Sequence, residues 1–547
     1  MKELELLRDY YHRLYGKENP NLLNEFIRFL EQKKNTLTLP PMPERWYKDA
    51  VIYALYVDQF DTDFQGLTAR LPYLSSLGVD CLWLLPILDS PMKDAGFDIR
   101  DYRSIRKNLF SLSENSEKEE TQKRFRTFLE EAHRANIRVI FDIAMNHTSN
   151  EHPWFQESRK GVNNPYRDYY IWNQDTNLYK ETRLLFKGLC PSNWEYDNGA
   201  YFFHRFYEFQ PDLNYRNPKV LIEISSILAD WLSEGVDGFR ADAIPFIWKE
   251  DGTSCENLPE AHIIIKFFRT VLDYLRPGTL LMAEANQLPM DVVEYFAGGD
   301  ECHAGYHFPL MPQIFISMAT ADRHPVMQVL SPEITPPIPS GCQWITFLRL
   351  HDELTLEMVT PKEREIMNRH YRHDPRWNFR EGEGISSRLS ELFQFNPSKT
   401  LQALSIMLTL PGTPILYYGD EFGQPNNEAW FEFMKSQTGY PDSRFYVRGP
   451  IDWEWAGRQI SNPISYGGTV YRALMQMIKI RKQNPVFGHG TLSWPEIWLR
   501  EIPASVLAFY RETEETKILV IHNLSSESVS IIRSEEHTSE LQSRITI

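Results

Sequence analysis

Residues 235–242 read GVDGFRAD, a short apolar segment that ends in an arginine and an aspartate. Strands buried on both faces read as continuous apolar runs, and their alternation with amphipathic stretches is typical of parallel βαβ units. Similar runs recur as VIYALYV (51–57), CLWLLPI (81–87), IRVIFDI (137–143), TLLMAEA (279–285), HAGYHFPL (303–310), WITFLRL (344–350) and TPILYYG (413–419). Eight such units over roughly 400 residues predict an α/β fold, a TIM (β/α)8 barrel.

The barrel occupies residues 46–485 in this prediction, with smaller parts before, within and after it. Residues 1–45 carry apolar residues at helical spacing and a Pro-rich linker, which predicts a helical N-terminal extension. Residues 148–215 are rich in Trp, Tyr, Asn and Pro and predict an inserted subdomain after strand three. Residues 486–532 predict the first strands of a C-terminal β domain, too few to close a sandwich.

The last residues, 533–547, differ in character from the rest of the chain. RSEEHTSELQSR (533–544) resembles the in-frame translation of a common sequencing adapter. We therefore expect a non-native tail here, with native sequence up to about Ile532 and the remainder of the C-terminal domain missing. The alternative is a charged, disordered tail.

The composition excludes several classes of partner. The formal net charge is −16 and there is no Lys/Arg-rich run, which argues against nucleic acid and anionic membranes. The five cysteines are scattered and lack a CxxC pair, so they predict neither a disulfide framework nor a zinc site. There is no apolar signal-peptide core and no apolar run of about 18 residues. We expect a cytoplasmic protein that acts on small molecules.

Polar and ionisable residues fall at the ends of the predicted strands. They are Asp142, Asn146 and His147 after strand three, Arg240 and Asp242 on strand four, Glu284 on strand five, and His351 and Asp352 after strand seven. The C-terminal ends of barrel strands converge on one pocket, where TIM-barrel enzymes place their active sites. Three carboxylates with an arginine suit glycosidic cleavage by a retaining mechanism, which needs a carboxylate nucleophile and a protonated partner.

Five segments resemble the signature regions of the α-amylase family, glycoside hydrolase family 13. They are DIAMNH (142–147), QPDLN (210–214), GFRAD (238–242), AEAN (283–286) and HDE (351–353), in family order. The resemblance implies that Asp242 is the nucleophile, Glu284 the general acid/base, and Asp352 the third carboxylate, which holds the 2- and 3-hydroxyls of the reacting glucose.

The same resemblance implies further substrate-binding residues. Arg240 would orient the nucleophile, and His147 and His351 would donate hydrogen bonds to the reacting sugar.

A closed floor of the glucose subsite is also implied by the resemblance. Asp98, in GFDIRDY (96–102), resembles the acid that binds this glucose, and Arg448, in RGPIDW (448–453), resembles its arginine partner. Arg444 is an alternative partner. Phe97 stands where the family usually has tyrosine, and it keeps ring stacking but loses a hydroxyl. Such a clamp favours exo-acting enzymes on small glucosides.

The chemistry that the resemblance implies needs no cofactor. Asn146 and Asp212 match positions that ligate calcium near the inserted subdomain in some relatives, so a structural Ca²⁺ is one expectation. The alternative is that both side chains only hydrogen-bond the loop. The loop after strand one, FDTDFQG (60–66), lacks the acid- and Gly-rich metal loop of some relatives, so we expect no metal there.

Segments outside the chemistry are most similar to trehalose synthase-type family members, which interconvert maltose and trehalose. They are WYKDAVIY (46–53), SNEHPWF (149–155), TSCENLPEAH (253–262) and GGDECHAGYHFPLMP (298–312). The resemblance therefore implies intramolecular transglucosylation through a glucosyl–Asp242 intermediate, on maltose, trehalose or short oligosaccharides.

Residues 422–449, after strand eight, differ from those members and would line the acceptor side of the pocket. For this reason a hydrolytic α-glucosidase, exo-acting on short malto- or isomalto-oligosaccharides, is the alternative function. A catalytically inactive barrel used as a binding module is a third.

Overall fold

Eight parallel strands close into a barrel in the computed structural model, which describes residues 2–113, 118–186, 188 and 190–530. We number them β1 to β8 in chain order: Ile52–Leu55, Cys81–Leu84, Arg138–Ala144, Gly238–Asp242, Leu280–Ala283, Ala304–Tyr306, Gln343–Phe347 and Thr413–Tyr417. Strand β1 pairs with both β2 and β8, which closes the barrel. Each strand lies within one of the predicted apolar runs or extends one residue beyond it, and the predicted TIM barrel is confirmed.

The barrel strands are apolar because they are covered on both sides. Strands β1, β2 and β5 are buried at every position, with one face inside the barrel and the other under the helices. Gly238 begins β4 because no side chain fits there: a Cβ atom would lie 2.5 Å from the carbonyl oxygen of Leu280 on β5. This close approach brings the N-terminal ends of β4 and β5 together.

Helices connect the strands and cover the outside of the barrel. In chain order they are α1 Lys2–Tyr15, α2 Pro20–Thr36, α3 Val57–Asp61, α4 Phe64–Ala69, α5 Leu71–Leu77, α6 Lys118–Arg134, α7 Pro153–Ser158, α8 Pro218–Glu234, α9 Pro259–Leu275, α10 Pro289–Val292, α11 Leu310–Thr320, α12 His324–Val329, α13 Pro361–Tyr371, α14 Leu389–Leu392, α15 Pro397–Thr409, α16 Glu428–Thr438, α17 Trp453–Ser461, α18 Tyr466–Gln483, α19 Val486–His489 and α20 Glu496–Leu499. Among the described residues, no helix is long and apolar enough to cross a membrane.

Loops at the C-terminal end of the barrel carry small sheets of their own. The largest belongs to the inserted subdomain between β3 and α8, where Ala200–Phe203 pairs with both Trp172–Asn173 and Trp194–Asp197. Aromatic side chains form its core; the rings of Trp194 and Phe203 lie 5.2 Å apart. The smaller sheets are Leu88–Asp89 with Asp101–Ile105, and Gly384–Ile385 with both Leu354–Thr355 and Asn378–Phe379.

The N-terminal helices α1 and α2 pack on α8 and α9, on the outside of the barrel. The Tyr15 hydroxyl donates to the carbonyl oxygen of Tyr215 at 2.8 Å, and the Lys34 ammonium to that of Leu275 at 2.8 Å. These bonds join the extension to the segment before α8 and to the end of α9.

The C-terminal part is an antiparallel sheet of Thr491–Ser493, Val506–Glu512 and Lys517–Asn523. The last of these strands alternates between partly exposed and buried residues, so only one of its faces packs on the barrel. The buried Arg511 donates to the carbonyl oxygens of Thr409 (2.7 Å) and Gly490 (2.8 Å), which joins the sheet to the barrel. The predicted non-native tail, residues 533–547, lies outside the described residues.

Candidate active site

The predicted acids of β3, β4 and β5 meet around one guanidinium group. Arg240 donates from Nη1 to Asp142 Oδ1 and to Asp242 Oδ1, both at 2.6 Å. Its Nη2 atom lies 4.0 Å from Glu284 Oε1. Alternation along β4 produces this arrangement, because Arg240 and Asp242 are two residues apart and so face the same side of the strand.

Glu284 has the electrostatic character of a proton donor. It follows β5 directly, and its Oε2 accepts a hydrogen bond from the backbone N–H of Ala243 at 3.1 Å. Burial raises the pKa of Glu284 to about 7, and Asp242 adds to this rise while Arg240 opposes it. A carboxyl group with such a pKa is partly protonated at neutral pH, as a general acid must be.

Asp142 is the second carboxylate that binds Arg240. Its second oxygen accepts a hydrogen bond from the Trp83 indole at 2.7 Å, and it is buried with Arg240. Burial raises the pKa of Asp142 to about 7, against the opposing effect of the guanidinium. Asp142 and Asp242 share Nη1 of Arg240, which fixes the direction of the Asp242 carboxylate.

Asp352 is held by cations on the opposite side of the pocket. Its Oδ1 accepts hydrogen bonds from Arg444 at 3.0 Å and from Arg448 at 2.9 Å. His351 Nε2 lies 3.0 Å from Asp352 Oδ2. Burial alone would raise the pKa of Asp352, but these three neighbours hold it well below its usual value. Asp352 is therefore ionised and able to accept hydrogen bonds from sugar hydroxyls.

The predicted clamp between Asp98 and Arg448 is wrong. Asp98 is fully buried and accepts hydrogen bonds from the Ser90 hydroxyl (3.0 Å) and from the backbone N–H groups of Lys93 (3.0 Å) and Asp94 (3.1 Å). It thereby shapes the loop after β2 and does not face the pocket. Arg448 instead binds Asp352 and the carbonyl oxygen of His351, the latter at 2.8 Å.

Asp94 and Arg444 occupy the floor of the pocket in place of the predicted pair. Arg444 Nη2 lies 3.5 Å from Asp94 Oδ1, and Asp442 holds the same guanidinium from behind at 2.6 Å. The Gln210 amide donates to Asp94 Oδ2 at 3.1 Å and lies 3.3 Å from His147 Nε2. Arg444, the alternative partner in the sequence prediction, is thus the arginine of the floor.

Aromatic rings form the walls of the pocket, which has a volume of about 130 Å³. Phe97 stacks on His351 with ring centres 5.4 Å apart and planes 20° apart. The rings of Phe186, Phe206 and Phe308 also face the pocket. Charged groups below and apolar rings around them suit a pyranose, whose hydroxyls point outward in the ring plane and whose faces carry C–H groups.

An ion-pair network crosses the mouth of the pocket. Arg183, from the inserted subdomain, pairs with Glu256 at 2.9 Å and with Glu357 on the loop after β7. Arg380 lies 3.5 Å from the other oxygen of Glu357. Phe186, three residues after Arg183, lines the pocket, and the Arg380 guanidinium lies 5.1 Å from its ring centre. The inserted subdomain is therefore bound to two barrel loops over the acids.

The residues predicted to ligate calcium hold an ammonium group. Lys249 Nζ lies 2.8 Å from Asp212 Oδ2 and 2.6 Å from Asn146 Oδ1. Its side chain is 3% exposed, and burial lowers its pKa, against the opposing effect of Asp212. Asn146 and Asp212 therefore do not fit a calcium ion as they stand, since a resident cation already neutralises the carboxylate. In the part of the chain that the structure describes, no cluster of three or more His, Cys, Asp or Glu side chains could hold a metal.

Asp94, Arg183 and Lys249 are not among the residues predicted from the sequence. Asp94 lies four residues before Asp98 in the segment KDAGFD, so its proximity could have offered it as the alternative acid. Lys249 ends the otherwise apolar AIPFIWK segment, which is a signal of a buried charge. Arg183 lies in an irregular loop, and no pattern there indicates its partners.

The chain matches the family model described as alpha amylase, catalytic domain, over residues 43–490. Residues 506–545 match a second model, described as the alpha-amylase SusG C-terminal domain. The trehalose synthase/amylase TreS of Mycobacterium tuberculosis is 40% identical over 487 residues, which cover 86% of this chain and 75% of that protein. The trehalose synthase of Pimelobacter sp. is 38% identical over 522 residues, which cover 88% of this chain and 87% of that protein.

Solved structures named trehalulose synthase and isomaltulose synthase share the architecture. The trehalulose synthase MutB from Pseudomonas mesoacidophila matches with a TM-score of 0.65 and 23% identity, over 89% of this chain and 92% of that chain. Isomaltulose synthase from Klebsiella sp. gives a TM-score of 0.65 and 24% identity, over 88% of this chain and 91% of that chain. At such identities the likeness shows the fold.

The family model covers most of the chain, and the barrel carries its acids on the strands where the signature segments predicted them. The chain therefore belongs to the α-amylase family of glycosidases and transglucosidases.

Proposed function

We propose that the protein interconverts maltose and trehalose by intramolecular transglucosylation. The observation that carries this proposal is the 38–40% identity to proteins named trehalose synthase over more than four fifths of the chain. The arrangement of acids and arginines in the pocket supports the chemistry.

The first half-reaction breaks the glycosidic bond of the bound disaccharide. The Asp242 carboxylate attacks C1 of the non-reducing glucose, and Glu284 gives its proton to the departing glycosidic oxygen. A β-glucosyl ester on Asp242 forms, and free glucose is the leaving group. Arg240 keeps the nucleophile ionised and directed, because its guanidinium binds both Asp142 and Asp242 at 2.6 Å.

Asp94, Asp352 and His147 would hold the glucose unit during this step. Asp352 is ionised and Asp94 lies at the pocket floor, so both can accept hydrogen bonds from sugar hydroxyls. The ring of Phe97 would pack on the sugar near C1. Hydrogen bonds that shorten as the oxocarbenium ion develops lower the barrier selectively.

The second half-reaction decides between isomerisation and hydrolysis. In isomerisation the released glucose turns within the pocket, and Glu284 takes the proton from its anomeric hydroxyl as that oxygen attacks the glucosyl ester. Water attacking in the same way would give hydrolysis. The network of Arg183, Glu256 and Glu357 across the mouth supports retention of the glucose.

In the deciding experiment the protein is incubated with maltose, and the products are followed by proton NMR. We expect trehalose to appear before free glucose, and an Asp242→Asn variant to form neither. Glucose formed in place of trehalose would identify a hydrolase and overturn the proposed isomerisation. Near-native turnover by Asp242→Asn would overturn the assignment of the nucleophile.

We also propose a cytoplasmic location. All five cysteines are free and buried, which agrees with a reducing compartment.

A further inference from the structure

One face of helix α16 lines a second cavity at the C-terminal end of the barrel. Trp430, Phe433, Met434, Gln437 and Thr438 share this face, at the three- and four-residue spacing of a helix. The rings of Trp430 and Phe433 lie 5.4 Å apart, and Phe433 is 50% exposed. An apolar helical stripe is normally covered by the core, but this one borders open space.

The cavity has a volume of about 390 Å³, which is within the usual range for small-molecule sites. The segments after β1 and β2, including α3, provide the polar lining residues Asp58, Gln59, Arg106 and Asn108 beside the apolar Pro91, Met92 and Ala95. The cavity therefore offers both aromatic faces and hydrogen-bonding groups.

Two segments of chain separate this cavity from the catalytic pocket. Lys93 and Ala95 face the cavity, whereas Asp94 and Phe97 face the pocket. The same holds after α16, where Arg444 lines the pocket and Phe445 lines the cavity. The two volumes are adjacent but distinct.

The charges that line the cavity are already neutralised. Arg106 pairs with Asp58 at 3.0 Å, Lys93 with Glu151 at 3.3 Å, and Arg448 with Asp352 at 2.9 Å. An anionic ligand would find no uncompensated cation among these three. A neutral molecule that carries hydroxyl groups fits better.

Unsatisfied polar atoms lie at the inner end of the cavity. The Tyr56 hydroxyl, Gln59 Oε1 and Arg448 Nη1 are buried and have no hydrogen-bond partner within the described residues. Tyr56 and Arg448 are each 3% exposed. Buried polar atoms of native proteins are generally paired, so these three indicate a polar occupant or ordered water at this end.

We propose that this cavity is a second saccharide-binding site, distinct from the catalytic pocket, for one or two neutral sugar rings. The Trp430 and Phe433 rings would cover the C–H face of a pyranose, and the polar lining groups would bind its hydroxyls. The inference is independent of whether water or glucose is the acceptor in the catalytic pocket.

The test is calorimetric titration of the intact protein with thiomaltose, whose sulfur-linked glycosidic bond resists cleavage. We expect two binding sites per chain. In a double variant, Trp430→Ala with Phe433→Ala, the affinity of the cavity site should fall on the order of tenfold or more, so that this site is lost from the titration. The site in the catalytic pocket should remain. Gln437→Trp, an exposed position on the same face, should fill the cavity and remove the same site without removing the aromatic pair.

Tyr196→Ala is the matched control, because Tyr196 is an aromatic residue of the inserted subdomain with 60% exposure. It should keep both sites. A single site in the parent protein, or two sites in both cavity variants, would overturn the proposal. A different result would contradict the proposed function, namely that the protein forms no trehalose when it is incubated with maltose. The two outcomes are therefore distinguishable.

Discussion

Glu284 is the residue whose ionisation should set the upper pH limit of activity. Burial raises its pKa to about 7 in the folded protein, and only the protonated form can donate to the leaving oxygen. We therefore expect kcat/KM for maltose, whose leaving oxygen needs this proton, to fall as the pH rises through about 7. Folding should also lose stability over this range, because the folded state binds this proton more tightly than the unfolded chain.

A Glu284→Gln variant provides the control for this pH profile. It should lose most activity on maltose and show no fall near pH 7, while an aryl glucoside with a good leaving group retains its glucosylation step. If kcat/KM of the parent protein does not fall even well above neutral pH, Glu284 is not the general acid.

Substitution of Asp94 should mainly weaken the binding of substrate, whereas substitution of Asp98 should mainly lower the stability of the fold. Asp94→Ala removes a carboxylate that faces the pocket, and we expect kcat/KM on maltose to fall by about ten- to a hundredfold. Its melting temperature should fall less than that of Asp98→Ala, because Arg444 keeps Asp442 and Asp352 as partners. Asp98→Ala leaves the Ser90 hydroxyl and two backbone N–H groups unpaired, so the melting temperature should fall. If Asp98→Ala instead lowers kcat/KM and Asp94→Ala instead lowers the melting temperature, then Asp98 is the acid of the pocket floor.

At the scale of elements, the network at the pocket mouth should control the fate of the released glucose. Arg183→Ala removes the link between the inserted subdomain and Glu357 and leaves Glu256 with only Arg205 of that subdomain, so water should enter and glucose should escape more often. We expect the ratio of glucose to trehalose from maltose to rise several-fold at similar substrate consumption, as measured by NMR.

Arg159→Ala is the matched control for this prediction. Arg159 lies in the same subdomain with similar exposure, 42% against 43% for Arg183, but pairs with Asp197 within the subdomain. Its product ratio should equal that of the parent. An unchanged ratio in Arg183→Ala would show that the network does not retain glucose.

The connection of β3 to the inserted subdomain depends on Lys249. Lys249→Met leaves the buried Asp212 carboxylate without its cation, at an expected cost of about 3–5 kcal/mol of unfolding free energy. Thermal unfolding should show a lower melting temperature, and EDTA should leave that of the parent unchanged.

Lys482→Met is the comparison for Lys249, since Lys482 makes a surface ion pair with Asp80. Its loss should cost no more than about 1 kcal/mol. If Lys249→Met melts like the parent, the ammonium group has no structural role. A parent that loses stability in EDTA would indicate a metal after all.

At the scale of the whole molecule, the N-terminal helices should contribute stability and not chemistry. Phe26 on α2 is buried and packs against Phe267 of α9, with ring centres 5.9 Å apart. Phe26→Ala should cost about 3–5 kcal/mol of unfolding free energy and leave KM unchanged. Phe29→Ala, on a partly exposed position of the same helix, should cost much less. A changed KM in Phe26→Ala would link the extension to the site.

The barrel could be predicted because local sequence encodes it directly. Strands buried on both faces must be apolar throughout, and a polar residue can follow only where the strand ends at the pocket. This rule located Arg240 and Asp242 on β4, Glu284 after β5 and Asp352 after β7. Even Ala304–Tyr306, the weakest run, lies in its predicted place in the barrel.

The partners within the site could not be predicted in the same way. Asp94 and Asp98 lie four residues apart in one loop, and only the course of the backbone directs one into the pocket and the other into the protein. Arg444 and Arg448 raise the same difficulty, because both bind Asp352 and only Arg444 also reaches Asp94. Loops carry no periodicity from which a direction could be derived.

The sequence by itself determined the barrel, the family and the three acids, because burial imposes a repeating pattern and the signature segments are contiguous. Only the tertiary structure decided which acid and arginine form the pocket floor, that Lys249 holds the place expected for calcium, and that Arg183 pairs with Glu357 beside the pocket. Each of these depends on side chains that are distant in sequence, and their contacts are set by how the loops pack on the barrel.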